Sequence, residues 1–235
     1  LFALILLAFS VFIRPPREDE LTVSHAAADP KRKKRGTPDM QGTDMSAGQM
    51  IRRPSFWLYF AWAVILSAAG LAVIGNASPC AQEIGASAGT AAMITGMLSV
   101  CNGVGRILIG LIFDRFGRKV SAAYANALIV AALGIIIAAS ATGSVAIFIF
   151  GGVILGLGYG SVPPLNAAFV NQFYGSRNYA MNFSIVTLNL IPASLLGPLV
   201  AGAVQSATGS YFTMYLVLLV ACLVIYLAQV MIKRP

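Results

Sequence analysis

Beyond residue 53 the chain alternates long apolar runs with short polar breaks. Six runs stand out, at 54–77, 90–112, 120–141, 145–169, 179–204 and 211–232. Each holds about 20 residues or more, enough for an α-helix to cross a hydrocarbon core ~30 Å thick with some tilt. Turn-forming clusters separate them: Asn76–Ser78–Pro79, Asp114–Gly117, Thr142–Gly143, Tyr174–Gly175–Ser176 and Thr208–Gly209–Ser210. A shorter apolar run, 1–13, is too short to span. It lacks the leading positive charge and trailing small-residue site of a signal peptide, and reads as the end of a helix that begins outside this chain. The pattern predicts an all-α membrane protein, with a transmembrane bundle of six helices over 54–235.

Residues 14–53 differ in kind. They hold nine Lys/Arg, six Asp/Glu and four Pro with almost no apolar periodicity, which predicts a solvated, largely disordered linker. Over the whole chain 58% of residues are hydrophobic and 10% charged, with a mean hydropathy of +0.80. Soluble domains carry about 25% charged residues, so a water-soluble globular protein is excluded. Cys80, Cys101 and Cys222 have neither disulfide-framework nor metal-ligand spacing. His25 stands alone in the linker.

The net charge of +8 would suggest nucleic acid in a soluble protein, but its placement says otherwise. Three breaks, 78–89, 142–144 and 205–210, contain no Lys or Arg. Of sixteen basic residues, all but Arg106 lie in the linker, in 113–119, at Arg177 or at Lys233 and Arg234. Positive charge marks the cytoplasmic side, so the linker and the C-terminus are expected inside. The run Lys31–Arg35 then reads as a topology determinant near anionic lipid rather than a nucleic-acid patch.

Arg106 is the one ionisable residue well inside an apolar run, where a charge costs about 2.5–3.5 kcal/mol on insertion scales. Thr95, Ser99, Asn102, Arg106 and Gly110 fall on one helical face, with Ile94, Met97 and Leu108 expected opposite. Arg106 lies six residues, ~9 Å, from Ile112, marginal for a snorkelling side chain. A buried guanidinium matches a carboxylate with two parallel hydrogen bonds, so a cavity with one fixed cation selects small organic anions. Gly152, Gly156 and Gly160 make a doubled GxxxG, expected as a close helix-packing seam, with Tyr159 and Asn166 near it. Pro163–Pro164 should kink or break that helix. Asn182 and Asn189 share a face, as interhelical hydrogen bonders or substrate contacts.

The stretch Gly110-Leu-Ile-Phe-Asp114-Arg115-Phe-Gly117-Arg118-Lys119 resembles the cytoplasmic signature loop of the major facilitator superfamily. Its chemistry is readable. Gly117 permits a tight turn, Asp114 can face the positive end of a neighbouring helix, expected here as the start of 179–204, and the three cations hold the loop inside. The resemblance implies the C-terminal half of a twelve-helix fold: 1–13 is the end of helix 6, 14–53 the central linker, and 54–235 helices 7–12, with the other six helices in a missing N-terminal half.

Arg52-Arg-Pro-Ser-Phe-Trp57, Ile74–Glu83, Asn102-Gly-Val-Gly-Arg106, Arg177-Asn-Tyr179 and Leu195-Leu-Gly-Pro198 are similar, more narrowly, to the oxalate/formate antiporter-like family. That likeness places the substrate carboxylate on Arg106 and an aromatic contact on Tyr159, and Asn102 and Asn189 join them as candidate substrate-binding residues. Gly110, Asp114, Arg115, Gly117, Arg118 and Lys119 become candidate gating residues. The family's oxalate carriers also use a lysine in helix 11. Here that position falls on Val186 or Leu190, which suits a monocarboxylate better than a dianion; the eukaryotic monocarboxylate transporters resemble this pattern too.

The expected function is therefore secondary transport of small mono- or dicarboxylates across the plasma membrane by alternating access. The expected partners are substrate, lipid bilayer and the missing half, with no cofactor or metal and no nucleic acid. The alternatives are a facilitator for another substrate class and a transport-inactive sensor or scaffold on the same fold. An enzyme would need a convergent acid–base or metal cluster, and none of the apolar runs holds Asp, Glu or His.

Overall fold

A computed structural model describes residues 43–230; the expected helix end at 1–13, most of the linker with His25 and Lys31–Arg35, and Lys233 and Arg234 lie outside the described residues. Among the described residues the chain is helical with no strand. The elements are α1 (Ala47–Ile51), α2 (Pro54–Gly75), α3 (Ala77–Glu83), α4 (Ala88–Thr142), α5 (Val145–Gly160), α6 (Val162–Tyr174), α7 (Tyr179–Thr187), α8 (Leu190–Thr208) and α9 (Phe212–Val230). Four stretches are long and apolar enough to cross a membrane: 54–75, 88–142, 145–174 and 179–208; 212–227 is apolar but shorter.

The 55 residues of α4 would reach ~82 Å as one straight helix, far more than a bilayer core of ~30 Å. They fold back at Gly117, the one residue with non-helical torsions inside α4 (φ 73°, ψ −177°). The contacts of α5 show the reversal. Gly152, Gly156 and Gly160 meet Leu98, Cys101 and Asn102 in ascending order, whereas Gly151 and Gly158 meet Ile136 and Ile129 in descending order. The two arms of α4 therefore run antiparallel on either side of α5.

Helix persists through Asp114, Arg115 and Phe116, so the expected loop 113–119 is reduced to a turn at a single glycine. The Gly117 torsions belong to a region that is essentially glycine-only, where another residue costs about 1–3 kcal/mol. Gly117→Ala is expected to lower the midpoint of thermal unfolding by that margin, and Gly110→Ala, a helical position with open space around it, to change it little. Equal melting of the two variants would refute this.

Prolines and caps shape the other ends. Pro54 begins α2, and Ser87 caps α4 by accepting the Thr90 N–H (3.2 Å). Gly143 (φ 66°) ends α4 and Ser144 starts α5. Pro163 and Pro164 sit in the first turn of α6, where their missing N–H groups cost least, so the expected break falls at Ser161. The run 179–204 is interrupted at Leu188–Asn189, because Pro192 cannot donate to the Leu188 carbonyl. Ile191 N donates to it instead (3.0 Å), a tighter 3₁₀ bond.

The core is built around α2. Trp62 is fully buried and its Nε1 donates to Asn126 Oδ1 (3.3 Å). Asn126 Nδ2 donates in turn to the Cys222 carbonyl (3.3 Å), so one amide joins α2, α4 and α9. Gly197 of α8 lies against the Ala68 carbonyl of α2. At the end of α2 near Pro54, Tyr59 stacks on Phe169 (3.7 Å between centroids) and donates to Asn166 Oδ1 (2.9 Å), pairing both polar atoms inside an apolar region.

Candidate functional site

Arg106 is placed by a glycine seam. Gly105 has no room for a side chain, because a Cβ there would meet the Leu157 carbonyl of α5. One turn earlier the Asn102 backbone lies directly on Gly160, and Gly156 accepts Cys101 and Leu98. The doubled GxxxG is thus a close-packing seam between α4 and α5, as its spacing predicts. Arg106, next to Gly105, emerges at the edge of that seam within electrostatic reach of the Tyr159 hydroxyl. Tyr159 is half-buried, and its ring lies on Gly70 of α2, where any Cβ would overlap it. Three helices therefore converge on the pair: α4 carries the cation, α5 the phenol, and α2 the glycine that seats the ring.

Around the polar stripe of α4 the apolar residues divide into a buried and an exposed face. Ile94, expected opposite it, is buried together with Ala91, Leu98, Gly105 and Ile109 in the face against α5. Met93, Val100, Val104 and Ile107 form the exposed apolar face. Thr95, Ser99, Asn102 and Arg106 run along the border between the two. Thr95 and Ser99 turn their hydroxyls onto the Ala91 and Thr95 carbonyls (3.1 and 3.0 Å). Asn102 is half-buried and Arg106 exposed within this bundle. Because helix continues to Phe116, Arg106 stands eleven residues, ~16 Å, from the turn at Gly117.

Asn189 is fully buried at the α7–α8 interruption. Its Nδ2 donates to the Val186 carbonyl (2.7 Å), and its Oδ1 has no partner among the described residues. Asn182 is buried too, and its Nδ2 donates to the Met45 carbonyl (3.0 Å), so it holds the chain rather than facing a cavity. In the signature turn, Asp114 and Gly110 line a small groove of about 80 Å³ against Pro164, Leu165 and Ala168. The groove thus sets Asp114 beside the first turns of α6. The Arg118 guanidinium lies over the Phe173 ring (4.6 Å) and that of Arg115 over Phe116 (5.4 Å). Asp114, Arg115 and Lys119 are exposed.

A strap at the Gly117 end of the bundle has no counterpart in the sequence reading. Residues 43–46 lie across the α6–α7 turn. Met45 N donates to the Tyr174 carbonyl (3.2 Å), Arg177 N donates to Asp44 Oδ1 (3.1 Å), and Asn178 and Asn182 both donate to the Met45 carbonyl. Gly175 (φ 72°) packs against Asp44 where a Cβ would overlap the carboxylate. Removing that carboxylate should loosen a locally held segment. Asp44→Ala is expected to speed tryptic cleavage after the exposed Arg52 several-fold, and an unchanged rate would show that the strap is held without it.

These features define a polytopic helical membrane protein with an exposed cation at the edge of a close-packed helix seam. The family model of the major facilitator superfamily matches residues 60–235, and the chain belongs to that superfamily. Relatives include the oxalate:formate antiporter of Oxalobacter formigenes, 28% identical over 145 residues (58% of this chain, 33% of that protein). A second is YhjX of Escherichia coli K12, an uncharacterised MFS-type transporter, 27% identical over 168 residues (68% of this chain, 39% of that protein). The chain thus spans between a third and two-fifths of the length of these curated relatives.

Proposed function

We propose that this chain is the six-helix C-terminal half of a secondary transporter for small carboxylates, set in the plasma membrane with its C-terminus in the cytoplasm. The crossings are α2, the two arms of α4, α5 with α6, α7 with α8, and α9. The observation that carries the substrate class is the position of Arg106 at the edge of the α4–α5 seam, within electrostatic reach of Tyr159: an always-charged planar fork, with Asn102 one turn away. An incoming carboxylate accepts from the guanidinium while the phenol ring bounds the site. Alternating access then exposes the bound anion to each side in turn. Likeness to a named oxalate:formate antiporter supports an anion, and a single cation favours one carboxylate group over two.

Uptake of labelled formate, acetate, lactate and oxalate into proteoliposomes of the full-length protein tests this reading. Saturable uptake of the monocarboxylates, with neutral sugars excluded, is expected; uptake of neutral solutes alone would reject it. Sidedness is tested by Thr37→Cys in a Cys101→Ala background, which should be labelled by impermeant thiol reagents only from the cytoplasmic face. The remaining cysteines are quiet. Cys80 and Cys222 are buried, and burial pushes the Cys80 thiol up to about 12, so it stays protonated and slow to react at neutral pH.

A further inference from the structure

Between the second arm of α4 and α9 runs an open, mainly apolar groove of about 510 Å³, with Val120, Ala123, Tyr124, Ala127 and Val130 on one wall and Leu223 and Tyr226 on the other. Asn126 also borders it but offers it no polar group in want of a partner: its Oδ1 accepts from Trp62 and its Nδ2 donates to the Cys222 carbonyl. Apart from the Tyr124 and Tyr226 phenols, the walls therefore offer an occupant only apolar contact. Val120 and Leu223 are about half exposed (49% and 46%), so the groove opens on the outside of the bundle.

A charged residue precedes the α4 wall at the Val120 end of the groove. Lys119 precedes Ala123 and Ala127 by four and eight residues, which puts it on the same helical stripe as the wall. It is exposed, while its neighbour Arg118 is engaged over Phe173 on α6. No carboxylate contributes to either wall. From Lys119 to Val130 is eleven residues, or ~16 Å, about the depth of one leaflet of a ~30 Å core. A cation at the membrane edge, followed by an apolar channel one leaflet deep, matches an anionic phospholipid standing upright.

We propose that this groove seats an acyl chain of an anionic phospholipid whose headgroup phosphate pairs with Lys119. Lysine serves as a compact point charge for phosphate, Tyr226 gives the groove an amphipathic ring of the kind that lies at headgroup level, and the small side chains of Ala123 and Ala127 leave the chain its room. The site rests on the membrane placement proposed above and is independent of the transported substrate.

The test uses full-length protein in phosphatidylcholine vesicles containing a trace of phosphatidylglycerol or phosphatidylcholine with a photoreactive diazirine on one acyl chain. Mass spectrometry then maps the adducts. Phosphatidylglycerol should label the 120–130 and 223–226 segments several-fold more than phosphatidylcholine. Lys119→Gln should bring the two lipids level, and Ala127→Phe, which fills the groove, should remove both adducts while labelling of other exposed faces persists. If Ala127→Phe does not insert, the surface variant Lys119→Gln decides alone. Equal labelling by the two lipids in the unaltered protein, or a headgroup preference that survives Lys119→Gln, overturns the proposal. So does efficient cross-linking of two copies through Leu223→Cys, which would put a second protein on this face. Loss of carboxylate uptake with lipid labelling intact would count against the transport reading only.

Discussion

Replacing Arg106 by lysine is expected to abolish carboxylate binding almost as fully as replacing it by alanine. An ammonium keeps the charge but presents no planar fork, so the paired contact to a carboxylate is lost. Arg106→Ala should weaken every carboxylate substrate together, by about 2–5 kcal/mol, the usual cost of deleting one partner of a desolvated charge pair. Calorimetry on folded, correctly inserted protein reads this directly. A snorkelling arginine predicts the reverse: lysine snorkels as readily, and its variant would bind normally. The geometry favours the ligand role, since the side chain stands ~16 Å along the helix from the turn at Gly117 and is within electrostatic reach of Tyr159. Asn102→Ala should weaken binding less than Arg106→Ala, because the Asn102 backbone, rather than its side chain, makes the contact with Gly160. Near-native affinity in Arg106→Lys would remove the ligand assignment and most of the case for an anionic substrate.

The parts of this architecture that were legible in the sequence are those encoded by local spacing. Run length marked stretches long and apolar enough to span, the i, i+4 glycines marked a close-packing seam, and the helical register put Arg106 on a polar stripe with Thr95, Ser99 and Asn102. The parts that were not legible depend on contacts between residues far apart in the chain. Asp44 and Met45 read as solvated linker by composition, yet Arg177, Asn178 and Asn182, more than 130 residues away, supply the donors that hold them. Asn126 could have been flagged as a lone amide in an apolar run, but only the fold shows Trp62 and Cys222 on either side of it. That Ile94 is buried while Met93, Val100, Val104 and Ile107 are exposed was not legible, because a two-sided helix buries one apolar stripe and exposes another, and hydropathy does not distinguish them. The interruption at Leu188–Asn189 had a sequence signal in Pro192, whose effect on the carbonyl four residues earlier follows from its missing N–H.

The seam itself should be the least tolerant feature of the bundle. Between helices in lipid, apolar burial gives little driving force, so close backbone approach and van der Waals contact carry more of the association. At Gly160 a methyl group would overlap the Asn102 carbonyl and come within 2.9 Å of its carbon, and at Gly105 it would overlap the Leu157 carbonyl. Both obstacles are backbone, which cannot rotate aside as a side chain does, so the helices must separate along their length. Gly160→Ala is expected to destabilise the bundle by about 1–3 kcal/mol, in the range of overpacked cores, and Gly160→Leu to prevent its assembly. Gly103→Ala is the matched control: it lies two residues from Gly105 on the same helix with open space around it, and alanine is the better helix former by about 1 kcal/mol. Thermal unfolding in detergent should separate the two alanine variants clearly, with Gly160→Ala lower and Gly103→Ala at or above the unaltered protein. Separating α4 from α5 also withdraws Arg106 from Tyr159, so Gly160→Ala should lose carboxylate affinity as well as stability, although residue 160 itself offers no group to a substrate. A Gly160→Ala protein that melts with the Gly103→Ala control and binds normally would show that the two helices have slack, and that the seam does not position the arginine.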